Sequence, residues 1–107
     1  MPDRGPFKLV VILAEPELET QLAEEILALG ARGYARLEGA GEWRRGRGRE
    51  DAPGPHDWKG AFVRLETVVP ERVARAILDR LAERYFENYA VFAYLLDAQI
   101  ARPGRYA

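Results

Sequence analysis

A chain of 107 residues is expected to form one domain with a modest core. Its 48% hydrophobic and 31% charged residues fit a globular rather than a disordered chain, and a net charge of −1 offers no overall basic field for nucleic acid or anionic lipid. With no cysteine it has no disulfide, no thiol chemistry and no cysteine-based zinc site.

The first six residues are short and polar and do not read as a signal peptide. No apolar run is long enough to span a bilayer, so no membrane insertion and a cytoplasmic location are expected. Phe7 to Ala14 (FKLVVILA) is continuously apolar with β-branched residues and predicts the first strand. Pro16 suits the first turn of a helix, where Glu15, Glu17 and Glu19 favour the N-terminal dipole. Leu18, Leu22, Ile26 and Leu29 recur at helical spacing as one apolar stripe, and Gly30 marks the stop. Gly33 to Glu38 alternates weakly and predicts a second strand. Residues 39–60 carry glycine, proline and charge without periodicity and read as a long loop, with room for the flanking strands to extend at its base.

The second half repeats the order. Ala61 to Val69 predicts a third strand, and Pro70 with Glu71 opens a second helix. Val73, Ile77, Leu81 and Tyr85 form its stripe, backed by Ala74, Leu78 and Ala82, with Asn88 as the expected cap. Ala90 to Ile100 predicts a fourth strand, followed by a polar tail. The result is an α+β, ferredoxin-like βαββαβ sandwich in a single domain over residues 1–107. Right-handed crossovers place both helices on one face of the sheet. The open face should alternate apolar and polar, yet Val10 to Leu13 and Val91 to Leu96 are runs without alternation. Both faces of these strands want burial, which points to a homo-oligomer whose sheets face inward.

The segment Gly39-Ala40-Gly41-Glu42-Trp43-Arg44-Arg45-Gly46-Arg47-Gly48-Arg49 combines backbone that can approach a ligand closely with planar guanidinium donors that match phosphate. It reads as a site for an anionic ligand, or as a solvated hairpin tip; composition leaves both open. His56, flanked by Asp51 and Asp57, is the single histidine and reads as a solvated loop residue, so no metal site is expected. The chain has no serine for a Ser–His–Asp set and no carboxylate pair in an evident pocket, and it is not expected to be an enzyme. An RNA-binding domain shares the element order. However, the stretch Lys59 to Leu65 is one residue too short for the RNA-binding signature, the first strand lacks a central stacking aromatic, and the net charge is wrong. A trimeric metal-tolerance protein of the same fold would need ligand residues that are missing. No nucleic-acid partner is expected.

Four stretches carry a family resemblance: KLVVILAE at 8–15, LGARGYARLEGAGEWRR at 29–45, FVRLETV at 62–68 and RYFENYAVFAYLLDAQI at 84–100. In order and spacing they resemble the PII-like signalling proteins, most closely the carbon-sensing branch that accompanies bicarbonate transporters (the SbtB type). The resemblance implies a homotrimer, an adenine-nucleotide site in each cleft between neighbours, and a long T-loop, about residues 39–60, that meets a partner. The implied effectors are AMP, cyclic AMP, ADP or ATP, with bicarbonate as a possible companion, and no tightly bound cofactor. By position, Gly39 and Gly41 would begin the T-loop and let backbone approach the nucleotide. Arg45 would take the phosphate-binding place, assisted by Arg44 and Arg47. Phe62, Val63, Tyr89 and Ala90 would border the nucleotide, with Glu15 at the mouth of the cleft. Trp43, Arg49 and Trp58 are the expected anchors for the partner, since aromatic and arginine side chains are common interface anchors. The partner implied is a bicarbonate transporter, bringing membrane association through it, or else a soluble carbon-metabolism protein. The chain departs from the family in having Gly48 where a second loop arginine belongs, in Glu42 and Trp43, and throughout residues 51–58. It also lacks the cysteine-bearing C-terminal extension of some members. Arg102 and Arg105 in the tail read either as reaching a neighbour's phosphate or as solubilising charge.

Overall fold

The apolar run Phe7–Ala14 forms β1, at the middle of a four-stranded sheet with β2 (Ala35–Trp43), β3 (Trp58–Pro70) and β4 (Val91–Ala98). The strand order is β2-β3-β1-β4, and all three pairings are antiparallel. This computed structural model describes residues 6–43 and 58–106. Helices α1 (Glu19–Ala28) and α2 (Glu71–Arg84) make the two crossovers and pack on the same sheet face. Their stripes, Leu22 and Ile26 on α1 and Val73, Ile77 and Leu81 on α2, meet Val10, Ile12 and Ala14 of β1 and Val63, Leu65 and Val69 of β3. All of these side chains are buried, so truncating one such leucine or isoleucine to alanine should cost about 2–5 kcal/mol.

The helix ends follow from local chemistry. Pro16–Leu18 forms a single 3₁₀ turn before α1, so the expected helix begins one turn later than its proline. At the other end the Gly30 N–H donates to the Leu27 carbonyl and the Ala31 N–H to that of Ile26, the paired bonds of a Schellman stop. Gly30 has φ +125°, and a Cβ there would come within 3.2 Å of the Val73 side chain, so both backbone and packing require glycine. The stop of α2 differs from expectation. Its cap is Tyr85, whose N–H reaches the Leu81 carbonyl, and Asn88 lies further on in the turn. Ala82, expected behind the apolar stripe, is exposed.

The strand bounds also differ. β2 begins at Ala35 and runs to Trp43, and β3 begins at Trp58, so the flanking strands do extend into the base of the expected loop, over residues 39–43 and 58–60. Glycines at 39, 41 and 60 lower the apparent strand preference, but the cross-strand ladder and aromatic packing outweigh it. β4 is shorter than expected, ending at Ala98. β2 is exposed along its whole length and forms one edge of the sheet. Arg36 braces it, donating through Nε to Glu19 at 2.6 Å and through Nη2 to Glu38 at 2.8 Å. Thr67, a buried polar side chain, donates to the Gly33 carbonyl at 2.6 Å and fastens the approach to β2 against β3.

The helices are tied by a polar cluster at their solvent margin. Glu25 accepts from Arg80 at 2.6 Å, from Arg84 at 3.0 Å and from the Tyr85 hydroxyl at 3.4 Å, while Gln21 donates to that hydroxyl. Burial alone would raise the Glu25 pKa, but the two arginines outweigh it and hold the carboxyl below its ordinary value of 4.5. A carboxylate with a depressed folded-state pKa adds stability that is present above its unfolded value and lost as pH falls through its folded one. Glu25→Gln should therefore lower the unfolding free energy at neutral pH by about 1 kcal/mol, read by urea denaturation. The gap to wild type should close on acidification below pH 4.5. A pH-independent gap would assign the loss to packing.

Candidate functional site

β1 ends at Ala14, paired with Val63 on one side and Val91 on the other, while the β2–β3 ribbon runs on beyond it. This register gathers Gly39, Gly41, Phe62, Val63, Tyr89 and Ala90 at one end of the sheet. Gly39 lies directly opposite Phe62, and a Cβ on it would fall 2.6 Å from the tip of the Phe62 ring. Gly41 would bring a Cβ to 3.7 Å from the same ring. The two glycines thus make a flat strip of backbone on which Phe62 rests, a use of glycine distinct from approach to a ligand. Gly60, with φ +128°, lets β3 bend at the foot of the ribbon.

The bend brings the ribbon's aromatics back onto the sheet. Trp43 and Trp58 are cross-strand partners. Trp43 stacks on Phe92 of β4 at 4.9 Å between ring centroids. Trp58 meets Phe62 edge-on at 5.6 Å and lies nearly parallel to Phe92 at 6.3 Å. Each such contact adds about 0.5–1.5 kcal/mol beyond burial. The expectation that both tryptophans belong to an unpacked loop is corrected here: they end two paired strands and are held by rings, although Trp43 remains 42% exposed.

Of the other expected site residues, Val63 is fully buried in the core beneath the helices, so only its backbone faces this end of the sheet. Ala90 is buried as well, and its N–H donates to the Glu15 carboxylate at 3.3 Å. Glu15, expected at the mouth of a nucleotide cleft, here ties the end of β1 to the start of β4. Tyr89 is exposed, its ring 5.7 Å from that of Tyr85. Arg44, Arg45, Arg47 and Arg49 lie outside the described residues, as do Asp51, His56 and Asp57.

A second concavity was not legible as a site in the sequence. At the other end of β2 a cleft of about 370 Å³ is lined by Arg32, Tyr34, Glu66, Val68, Arg105 and Tyr106, among others. Its floor is the sheet face away from the helices, since Leu9 and Val68 are register partners with side chains opposite in sense to the core residues Val10 and Val69. Two tyrosines, two arginines and one carboxylate suit a ligand that is flat, polar and anionic. Arg32, Gly33 and Tyr34 belong to the stretch at 29–45 that carries the family resemblance, and Arg105 to the tail. The sequence signal was present, but nothing in it places those two segments side by side.

Among the described residues no group of His, Cys, Asp and Glu is placed to hold a metal ion, and no helix is long and apolar enough to cross a membrane.

Residues 7–105 match the family model of the nitrogen regulatory protein P-II. The fold is similar to that of a PII-like signalling protein of Thermus thermophilus, with 45% identity, a TM-score of 0.77 and coverage of 96% of this chain and 97% of that one. It is also similar to CPII of Thiomonas intermedia, solved with ADP, AMP and acetate, at 18% identity and a TM-score of 0.76, with 95% of each chain covered. A third likeness is to CutA of Synechococcus elongatus, at 15% identity and a TM-score of 0.63, covering 92% of this chain and 80% of that one. With a family match over nearly its whole length and a solved relative close to half identical, this chain belongs to the P-II family of signalling proteins.

Proposed function

We propose that this chain works as a trimeric sensor of adenine nucleotides, and that it reports their binding to a partner protein through residues 44–57. The observation that carries the reading is the cleft with Tyr34, Tyr106, Arg32 and Arg105 on the margin of an apolar sheet face. A base is taken between the tyrosines of one chain, and in the assembly the opposite end of a neighbouring chain's β2 supplies Gly39 and Gly41, with Arg44, Arg45 and Arg47 assigned to the phosphates. The remaining border is supplied by Phe62, the backbone of Val63, Tyr89 and Ala90. CPII of Thiomonas intermedia has been solved with ADP, AMP and bicarbonate, which supports these ligands as the first to try.

The assembly reading rests on the same face. Leu37, Tyr94 and Leu96 project from it with 49%, 41% and 49% of their surface exposed. Large apolar side chains left exposed on both edge strands of one face call for cover. Copies of this chain would bury them and turn the cleft at the margin into an inter-subunit site.

The rings of Phe62, Trp58, Phe92 and Trp43 form a continuous series from the glycine strip to the point where residues 44–57 begin. An occupant near Gly39 displaces Phe62 first, and the stack passes the shift to Trp43. The partner receives Trp43, Arg49 and Trp58 in an altered arrangement. A bicarbonate transporter is the first partner to test and a soluble carbon-metabolism protein the second, since the motif order is closest to the branch associated with inorganic carbon.

Three outcomes check this reading. In a thermal-shift panel of AMP, cyclic AMP, ADP and ATP, with and without bicarbonate, a bound nucleotide at roughly 100 times its dissociation constant should add about 2.7 kcal/mol. Arg45→Ala and Tyr34→Ala should each weaken nucleotide binding about tenfold in calorimetry without loss of fold. Unchanged affinity in both variants would place the site elsewhere. In native mass spectrometry at micromolar concentration the wild type should carry the mass of three chains and Tyr94→Asp that of one. A wild-type monomer there defeats the assembly.

A further inference from the structure

The open sheet face is a grid whose rows follow the strand register. Leu37, Arg64, Leu13 and Phe92 lie side by side across the four strands, and Ala35, Glu66, Val11 and Tyr94 form the next row. Val68, Leu9 and Leu96 make the row after that. Among the described strand residues, Arg64 and Glu66 are the only charged side chains on this face, and they stand at its middle on β3.

Arg64 Nε lies 2.6 Å from Glu66 Oε2, yet it is shut from water and no hydrogen bond satisfies it. Two apart on β3, these side chains bring their charges close without aligning the Arg64 Nε–H on the carboxylate, unlike Arg36 and Glu38 on β2, which are hydrogen-bonded. The side chains are still 35% and 28% exposed, so water serves the rest of the pair in the single chain. A covering subunit removes that water. Burying both charges then costs more than their mutual attraction returns, unless further hydrogen bonds satisfy them. In a head-to-tail ring each chain offers a neighbour the opposite charge it needs from the same two residues.

This rests on the trimer proposed above. We infer that Arg64 of one chain donates to Glu66 of the next, and that this alternating network sets the register and the number of subunits rather than the strength of the assembly. A polar pair inside an apolar interface penalises every alternative register, because a shifted partner leaves both charges unmatched.

The test is a mixture. Arg64→Met leaves Glu66 unpaired in every junction and Glu66→Met leaves Arg64 unpaired, so each alone should assemble at least tenfold more weakly than wild type by sedimentation. Mixed in equal amounts, with one chain isotope-labelled, they should form mixed trimers beyond the random proportion in native mass spectrometry, since one Arg64–Glu66 junction is then restored. A pair working only within its own chain gains nothing from mixing, and a random distribution overturns the inference. So does a single variant that assembles as tightly as wild type. The Arg64→Met/Glu66→Met double variant should assemble again but with a spread of subunit numbers; retention of a sole trimer overturns the role in register. Glutamine at the same positions repeats the mixture if a methionine variant misfolds. A monomeric wild type defeats the trimer itself, whereas a trimer indifferent to these changes defeats only the pairing.

Discussion

β1 is apolar on both sides. Val10, Ile12 and Ala14 go under the helices, while Val11 and Leu13 point the other way and are buried as well. A strand of this kind needs two covers, and the βαββαβ order supplies one, because both crossovers put their helices on the same face. On the second face β3 and β4 flank β1, and the ribbon's aromatics fold onto Phe92. That conceals β1 but leaves Leu37, Tyr94 and Leu96 uncovered. The unit is complete on its helical side and incomplete on its sheet side. The cleft, the base of the ribbon and the Arg64–Glu66 pair all lie on the incomplete side.

The two ends of that face differ in physical character. Around Arg32, Tyr34, Glu66 and Arg105 it is concave and charged. Around Gly39, Phe62 and Trp58 it is flat and aromatic, and backbone without side chains is filled by rings. Glycine there does not loosen the chain, because the missing Cβ is the space that Phe62 occupies. A stiff ribbon foot of this kind can pass on a displacement that a slack loop would absorb. The tie from Glu15 to the Ala90 amide braces the neighbouring start of β4 in the same way.

Membership of the P-II family agrees with a signalling role. Several polar groups of the helical side do structural work: Glu25 holds α1 to α2, and Arg36 holds β2 to the start of α1. Lys8 and Asp97, register partners on β1 and β4, pair at 2.5 Å across that junction.

Much of this was readable from the sequence. Continuous apolar runs marked β1 and β4, helical spacing marked the buried stripes of α1 and α2, and Gly30 marked a helix stop, because each depends on residues close in the chain. The lack of alternation in β1 agrees with the burial of Val11 and Leu13 on the face away from the helices. Strand limits in the ribbon were not readable, since Gly39, Gly41 and Gly60 look like loop until the cross-strand partner of each is known. The burial of Val63, the packing of Trp43 and Trp58 onto Phe92, and the meeting of the Arg32 turn with the Arg105 tail were decided only by the tertiary structure. These are contacts between residues tens of positions apart, and local preference carries no record of them. The sequence alone determines which surfaces must be hidden; the register of the sheet decides which side chains are left to meet a ligand or a second chain.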